Sequence, residues 1–517
     1  MFFILTKSWL IKILAACSLF LVCGCYQHAN AQVLQTDRFE VAVSGRGEFF
    51  DIVPSQNNGL FMYRQLAGTK EDQVQLIKLD TTFQQNWAGF VSVQRNYRVM
   101  GTEAFDEKLF LLMRYKDYSK NDMILYVIQE SDGRYVQYQI KGYIPFAPSE
   151  FQVTKEAAII GGYFNRIPVV LHFSFSTLRS KVLPGLFSEA GELTQVKTYN
   201  DGSFDVLISA RNLARQRTIW IKNYDPEGNL LRNLPLQPDE NKHLIFGRSL
   251  KTEGYKQIVA GVFGNRSSEF SRGMFIATIE PSGLEHIQYY NFSDLKNFFK
   301  YMKANREKRI KSRIERKKIK GKKIRFNYRF LVHELVPYKD QFVMLGEAFY
   351  PRYQSTDRGS SYGFFTPYGS MPNSIIKDGR IFDGYYYTHA VVMGFSEDGK
   401  LLWDNSFEIN DVRTFALEQF VKLNVLPDRL ALMYLFENHI RTKIIKDDLV
   451  LEGKTIDPIV TFRENDIVKD DKNDANKLEY WYNQYLYAYG VQDITTRSAD
   501  GSSKRKVFFI NKVHYPH

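Results

Sequence analysis

The feature that most constrains the fold is a short apolar run that recurs along the chain. Seven runs of three to five apolar residues begin at Leu60, Leu109, Ala157, Val206, Ile258, Phe342 and Leu430. Their starting points are 49, 48, 49, 52, 84 and 88 residues apart. A nearly constant spacing with two longer intervals predicts a repeat architecture that carries insertions. The spacing also argues against a β-solenoid, whose repeat is shorter.

Each repeat has the pattern of four antiparallel strands. A shorter β-patterned stretch and a turn precede the apolar run, as in Tyr97 to Ala104, and a third strand follows it. A glycine-bearing turn then leads to a fourth strand, as at Asp132-Gly133, Pro281-Ser282-Gly283, Asp398-Gly399 and Asp500-Gly501. The pattern predicts an all-β fold, a seven-bladed β-propeller of four-stranded antiparallel blades. A different large all-β fold with regular hairpins stays open as the alternative.

The first 31 residues have the pattern of an export signal. Lys7 and Lys12 precede the apolar stretch 13–22, and small residues follow it. Cleavage after Ala31 would suit ordinary signal peptidase, whereas residues 22–25 resemble a bacterial lipobox that would place a lipid on Cys25; both alternatives stay open. All three cysteines lie in this segment, so no disulfide is expected in the mature chain.

Residues 32–517 are predicted to form a single β-propeller domain with insertions at 293–327, 350–388 and 437–483. The ring could close by pairing residues 39–45 with the last blade, or the C-terminal hairpin could complete the seventh blade alone. No later stretch reaches the roughly 18 consecutive apolar residues of a membrane span. We therefore expect an exported protein that is periplasmic, outer-membrane associated, lipid-anchored or secreted.

The first insertion is strongly basic. Residues 294–325 hold fifteen Lys or Arg against three carboxylates, a net charge of +12, which equals the formal net charge of the whole chain. Leu295, Phe298, Phe299 and Met302 have helical spacing, so a basic helix with one apolar stripe is expected. Its cations, Lys317 and Lys318 among them, could contact anionic lipid or an acidic protein, or could be only solvated. Nucleic acid is the weakest of the candidate partners outside the cytoplasm.

Arginines recur just after the apolar runs, and an aromatic loop follows the sixth run. The topology would place these elaborations on one face of the propeller. The binding candidates on this face are Arg166, Arg266, Arg352, Tyr353, Tyr362 and Tyr385. As the alternative, each arginine could pair with a carboxylate of its own blade, and the aromatic side chains could pack on one another.

Motifs for catalysis are weak. The spacing of Gly359 to Gly363 formally matches a nucleophile elbow, but it lies in a loop rather than between a strand and a helix. The cluster 470–476 lacks the glycine and the distal glutamate of a calcium loop. We therefore predict no catalytic residue, no metal site and no cofactor.

Two segments carry a resemblance to known proteins. Residues 224–231 (YDPEGNLL) and 395–403 (FSEDGKLLW) resemble the outer hairpins of exported bacterial propellers, and the signal and repeat style resemble Bacteroidetes-type exported proteins of uncharacterised function. The resemblance implies an envelope location and no particular activity.

Together these features favour a non-enzymatic binding or scaffold protein of the bacterial cell envelope. Its cationic and aromatic face would hold an anionic, glycan or protein partner. The alternative is a carbohydrate-active or other hydrolytic enzyme with carboxylates in the central channel. Two carboxylates facing each other would favour the enzyme, whereas an apolar or cationic channel lining would favour binding.

Overall fold

The computed structural model describes most of the chain after the predicted export signal. The described residues are 33–44, 48–116, 121–142, 144–186, 190–252, 256–265, 270–322, 324, 326, 328–355, 376–377, 380–410, 412–469, 476–498 and 501–515. They form eight separate antiparallel sheets, which follow one another along the chain as blades.

An N-terminal strand, β1 (Leu34–Ala42), precedes the first blade. Blades 1 to 5 each consist of four consecutive strands that pair in chain order. Their strands are β2 (Asp51–Pro54), β3 (Leu60–Leu66), β4 (Asp72–Leu79) and β5 (Gln85–Val93) in blade 1; β6 (Tyr97–Phe105), β7 (Lys108–Tyr115), β8 (Met123–Gln129) and β9 (Tyr135–Ile140) in blade 2; β10 (Ala147–Val153), β11 (Ala157–Phe164), β12 (Ile167–Ser174) and β13 (Arg179–Val182) in blade 3; β14 (Glu192–Thr198), β15 (Phe204–Arg211), β16 (Arg217–Tyr224) and β17 (Leu230–Pro235) in blade 4; β18 (Lys242–Lys251), β19 (Gln257–Asn265), β20 (Gly273–Ile279) and β21 (Glu285–Asn291) in blade 5.

The later blades are less regular. A helix, α1 (Ala304–Ile319), stands between blades 5 and 6. Blade 6 contains β22 (Arg329–Val332), β23 (Val336–Tyr338), β24 (Gln341–Ser355), β25 (Ile376–Lys377), β26 (Arg380–Ser396), β27 (Leu401–Glu408) and β28 (Arg413–Thr414); blade 7 contains β29 (Lys422–Val425), β30 (Leu430–Phe436), β31 (His439–Lys446) and β32 (Leu449–Pro458); the last strands are β33 (Asp466–Val468), β34 (Lys477–Tyr480), β35 (Tyr485–Ser498) and β36 (Gly501–His514).

The prediction of a propeller with four-stranded blades and one helix is confirmed, but the number of blades was wrong. The described strands form eight blades rather than seven, because β34, β35 and β36 begin a further blade. The second strand of this blade reads Tyr485-Leu486-Tyr487-Ala488-Tyr489. Its alternating tyrosines do not have the aliphatic pattern that marks the other seven second strands, so the repeat was missed.

The N-terminal strand completes the eighth blade. β1 pairs antiparallel with β36, with Phe39 opposite Ile510 and Val41 opposite Phe508. Of the two predicted ways to close the ring, pairing of the N-terminal segment with the last blade is therefore the one observed. The predicted insertion 437–483 is corrected at the same time, because it contains β31 and β32 of blade 7 and the beginning of blade 8.

The hydrophobic core lies between neighbouring blades. Phe61 and Tyr63 of blade 1, for example, share one buried cluster with Leu109 and Leu111 of blade 2. The first strands of successive blades lie against one another, as β6 does with β10 and β10 with β14. These first strands surround the axis of the propeller, and their side chains line the central channel.

Candidate functional site

Ionisable side chains from different blades meet at the centre of the ring. Glu334 lies in the gap between β22 and β23 of blade 6. Its carboxylate accepts hydrogen bonds from Gln195 Nε2 and Lys197 Nζ of blade 4, both at 2.8 Å. Arg248 Nη1 of blade 5 lies 3.7 Å from the same carboxylate. Since blade 5 separates blades 4 and 6, this network crosses part of the channel.

Three carboxyl groups on the first strands of blades 1 to 3 have raised pKa values. Desolvation raises the pKa of Asp51, and the positive charge of Lys477 opposes the shift. Desolvation likewise raises the pKa of Glu150, with Arg248 opposing it. For Glu103, desolvation acts alone and raises the pKa to about 7. The pKa values are raised because the surrounding protein replaces water that would stabilise the charged form.

A carboxyl group that titrates near neutrality can donate or accept a proton, so Glu103 has the electrostatic property of a general acid or base. Glu334, by contrast, forms an ion pair with Lys197 at 2.8 Å and lies 3.7 Å from Arg248. The channel lining is therefore mixed, with carboxyl groups of raised pKa on blades 1 to 3 and a paired charge network on blades 4 to 6. It corresponds neither to a cationic lining nor to a simple pair of opposed carboxylates.

The basic segment is anchored to blade 6 before α1 begins. Phe298 and Phe299 are buried in the same cluster as Phe330. The backbone N–H of Asn297 donates to Asp404 Oδ2 at 2.7 Å, and its side-chain amide donates to the Asp404 carbonyl at 2.7 Å. The ring of Tyr301 stacks on His389 with 3.7 Å between centroids. Both apolar packing and hydrogen bonds therefore hold the segment.

The solvent-exposed side of α1 is cationic. Lys308, Arg309, Arg313 and Arg316 are exposed and follow one another at helical spacing. No ion pair joins these four side chains to a carboxylate among the described residues, although Arg309 and Arg316 each donate to a carbonyl one turn earlier in the helix.

Other cations of the segment have partners. Lys311 pairs with Glu307 at 2.6 Å, and Lys318 pairs with Asp294 at 2.9 Å. Lys317 is only partly exposed. Of the two cations singled out in the sequence, one is therefore half-buried and the other is in an ion pair. Neither of them belongs to the exposed row of Lys308, Arg309, Arg313 and Arg316 described above.

The three predicted arginine contacts have different positions. Arg166 is exposed in the two-residue turn between β11 and β12, where its φ is 66°. Arg352 is exposed on β24, 3.6 Å from Asp383 and over the ring of Tyr386 at 5.0 Å. Arg266 and Tyr362 lie outside the described residues, as does Cys25. Arg166 and Arg352 belong to different blades, and no contact joins them.

Two predicted tyrosines take part in packing. Tyr385 is 1% exposed and lies edge-on to Phe349 and Phe382 at 5.6 and 4.9 Å. Tyr353 is partly exposed and contacts the ring of Phe382 at 5.7 Å. The self-packing alternative therefore describes these rings, which support the strands of the sixth blade.

Other arginines that follow the apolar runs also pack within the molecule. Arg64 pairs with Glu48 at 3.1 Å and lies 4.6 Å from the ring centre of Phe50. Arg114 is fully buried, and Arg441 lies over the rings of Tyr434 and Phe436. The recurrence of arginine is thus in part a structural property of the blades.

The weak sequence motifs add no site. Gly359–Gly363 and residues 470–475 lie outside the described part of the chain. Within the described ranges, no group of three or more His, Cys, Asp or Glu is arranged to hold a metal ion. None of the described helices has the length and hydropathy needed to cross a membrane.

The strand pairing defines the class of the protein, a β-propeller. No family model matches the chain, and no curated protein matches it. Among solved structures it is similar to the polysaccharide lyase Uly1, with 10% identity, a TM-score of 0.38 and coverage of 81% of this chain and 90% of that one. It is also similar to the β-propeller domain of the Trilobed protease from Pyrococcus furiosus, with 8% identity, a TM-score of 0.35 and coverage of 82% and 96%. A dihydro-heme d1 dehydrogenase, NirN, has 11% identity, a TM-score of 0.41 and coverage of 97% and 84%.

The channel carboxyl groups were missed in the sequence. Asp51, Glu103 and Glu150 are single carboxylates on separate first strands and belong to no catalytic sequence motif. An alignment of the repeats on their second strands could have found them. It would place an acidic or basic residue on the first strand of each early blade.

Proposed function

We propose that this chain is a non-enzymatic binding or scaffold protein of the bacterial cell envelope, and that it holds an anionic partner on the face of the propeller that carries α1. The observation that carries the proposal is the exposed row formed by Lys308, Arg309, Arg313 and Arg316, which has no ion pair among the described residues. An envelope protein with an acidic surface, an acidic glycan or anionic lipid would each supply the complementary charge.

The way the helix is attached supports this proposal. Ile314, the buried residue of α1, and the preceding Phe298 and Phe299 pack into the blade 6 core. A run of like charges costs self-repulsion, and a helix that served solubility alone would not need such an anchor. The anchored helix instead presents its cations in a fixed arrangement, which lowers the entropy cost of binding.

The topology places a second elaborated element on the same face. α1 lies in the connection from the last strand of blade 5 to the first of blade 6, and the long β24–β26 hairpin joins the second and third strands of blade 6. Because successive strands of a blade alternate in direction, these two connections emerge at the same end. The face therefore combines a basic helix with an aromatic and arginine-bearing hairpin.

The test measures binding to vesicles that contain phosphatidylglycerol and to polyglutamate as a model of an acidic protein. The triple variant Lys308→Gln, Arg309→Gln and Arg313→Gln should bind roughly 100-fold more weakly, since each cation near an anionic surface contributes about 1 kcal/mol. Binding of the unchanged protein should weaken steeply as salt rises, because salt screens exposed charges.

A matched control removes the same charge from paired positions. In the variant Lys296→Gln, Lys311→Gln and Lys318→Gln, each changed lysine has a carboxylate partner, at 2.6, 2.6 and 2.9 Å. This control should lose clearly less affinity than the first variant. Equal losses of affinity would mean that only the net charge matters. Unchanged binding by the first variant would mean that the cations of α1 are only solvated and contact no partner.

Export and anchoring are part of the proposal and rest on residues 1–31. Replacing Cys25 by Ala should release the protein from the membrane fraction if the lipobox is used. Unchanged fractionation of the Cys25→Ala variant, together with an N-terminus at Gln32, would support cleavage after Ala31.

The second candidate is a hydrolytic enzyme that works in the channel, and Glu103 is the observation that favours it. Its pKa of about 7 would let it act as a general acid at neutral pH. A panel of glycans should then be cleaved by the unchanged protein and not by the Glu103→Gln variant. If neither cleaves any glycan, the binding proposal is preferred.

A further inference from the structure

The β24–β26 hairpin continues beyond its blade and gains a third strand. Tyr350 of β24 stands opposite Tyr386 of β26, and Tyr386 stands opposite Arg413 of β28. Arg352 follows two positions after Tyr350, and Asp383 three before Tyr386. We call these five residues, Tyr350, Arg352, Asp383, Tyr386 and Arg413, the hairpin platform.

The aromatic rings of the platform are stacked and open to solvent. Tyr350 and Tyr386 have ring centroids 5.8 Å apart and planes inclined by 18°. Tyr350 is 42% exposed, and Tyr386 is partly exposed. The guanidinium of Arg352 lies 5.0 Å from the Tyr386 ring centre and is half exposed. The platform therefore offers nearly parallel flat groups, which favour stacking against another flat surface.

The reverse side of the hairpin keeps these groups in place. Phe349, Tyr385 and Tyr387 are buried there, and the Tyr387 hydroxyl donates to the Glu418 carbonyl at 2.7 Å. A surface supported in this way is arranged before a ligand arrives, so little ordering entropy is lost on binding.

The charges of the platform are unequal. Asp383 lies 3.6 Å from Arg352 and 3.2 Å from Arg413, and it accepts a hydrogen bond from the Tyr386 hydroxyl at 2.8 Å. Two guanidinium groups thus share one carboxylate within the platform. Both arginine side chains are more than a third exposed. The surface can accept a further carboxylate, which a guanidinium group binds through two parallel hydrogen bonds.

We propose that the hairpin platform binds an acidic polysaccharide rich in uronic acid. The C–H face of a pyranose ring would lie on Tyr350, and the uronate carboxylate would pair with Arg352 and Arg413. A polysaccharide fits better than a protein because, among the described residues of β24, β26, β28 and the turn after β28, the large apolar side chains that are exposed are Tyr350 and Phe415, and both are aromatic. The inference names a ligand for the proposed binding function and rests on it, but uses a site separate from α1.

The test uses a galacturonate trisaccharide and its methyl ester, which has the same rings without the charges. Binding is measured by calorimetry in the α1 triple variant, which reduces the contribution of the helix cations. Tyr350→Ala should weaken trisaccharide binding by about tenfold through lost stacking, and Arg352→Gln with Arg413→Gln by at least about tenfold through lost charge-assisted hydrogen bonds. The methyl ester should bind as weakly as the double arginine variant does.

Arg134→Gln is the control, since Arg134 is 87% exposed in blade 2 and lies outside the platform. It should bind the trisaccharide like its parent, and all variants should keep the parent melting temperature. If the parent binds no trisaccharide, if Tyr350→Ala binds equally well, or if the methyl ester binds as tightly as the acid, the inference is overturned. Vesicle and polyglutamate binding in the otherwise unchanged protein tests the α1 proposal separately, so the two failures can be distinguished.

Discussion

Blades 1 to 5 each use four consecutive strands, whereas blades 6 and 8 depend on segments from elsewhere. Blade 6 packs against residues 294–303, the part of the basic segment before α1, and blade 8 takes its last strand from the N-terminus. The self-contained blades join through apolar packing and also through buried charge pairs, as where Lys78 of blade 1 lies 2.6 Å from Glu130 of blade 2. At the joins of the dependent blades, charged groups also hold the segments that lie outside the four-strand repeat.

In blade 8, Arg505 pairs with Asp466 at 2.5 Å and with Glu40 of β1 at 3.4 Å. The hydrogen bond from Arg505 lowers the pKa of Asp466. In blade 6, Asp404 accepts the N–H groups of the incoming segment. Backbone outside the strands has N–H groups that form no hydrogen bond to a neighbouring strand, and carboxylates accept these hydrogen bonds instead. Buried charge pairs therefore occur in both kinds of blade, and what the departure from the repeat adds in blade 6 is a carboxylate that accepts backbone N–H groups of the incoming segment.

The largest effect is expected from removing the borrowed strand of blade 8. A chain that begins after Val43 loses the β1 pairing with β36 and exposes the edge of blade 8, so unfolding should become easier by about 5 kcal/mol or more. Thermal unfolding with and without a synthetic peptide covering Leu34–Ala42 measures the effect. The peptide should restore part of the lost stability. If the truncated chain has the same melting temperature as the full chain, β1 does not contribute to ring closure.

The next effect concerns the segment incorporated into blade 6. Phe298→Ala leaves a cavity beside Phe292, whose ring centroid lies 4.6 Å from that of Phe298, and should cost about 3–5 kcal/mol of unfolding free energy. Ile319 at the end of α1 is 83% exposed, so Ile319→Ala is the matched control and should change stability little. Equal melting temperatures for the two variants would mean that the segment is only loosely attached.

A smaller loss is expected at the join between blades 6 and 7. Glu347 is fully buried and accepts hydrogen bonds from the backbone N–H groups of Phe420 and Val421 at 3.2 and 2.9 Å. Glu347→Gln keeps one acceptor oxygen but turns an amide N–H₂ toward the other N–H donor, and should cost about 2–3 kcal/mol. Denaturant unfolding measures this loss of free energy, and Glu397→Gln, in an exposed turn, is the control. A loss no larger than that of the control would argue against a structural role for Glu347.

The smallest effect has the opposite sign and belongs to a self-contained blade. The raised pKa of Glu103 means that ionisation disfavours the folded state, so stability from this group falls as pH rises from about 4.5 to about 7. Glu103→Gln removes that loss and should raise the melting temperature by about 1–3 K at pH 8. At pH 4.5 the variant and the unchanged protein should have the same melting temperature. A variant that is less stable at pH 8 would show that Glu103 has a charged partner.

The early blades could be predicted well because their signals are local. All seven apolar runs are second strands, and the turn glycines Gly133, Gly228, Gly283 and Gly399 have positive φ, as a tight hairpin requires. The basic helix could also be predicted from composition, but the spacing argument was wrong, because Leu295, Phe298, Phe299 and Met302 lie before the helix begins at Ala304. Of the residues in the proposed sites, Arg352 and the aromatic loop had been named from the sequence, whereas Glu103, Asp383 and Arg413 had not.

The sequence by itself determined the β-strand repeat, the presence of a basic helix within 294–325 and the confinement of all cysteines to the first 31 residues. These properties depend on neighbouring residues and on counts. The tertiary structure alone decided the eighth blade and the closure, since β1 and β36 are far apart in the chain and Gly501 proved to follow the second strand of its blade, not the third. It also decided which charges meet in the channel and which rings form the hairpin platform, because contacts between distant strands follow from packing of the whole ring.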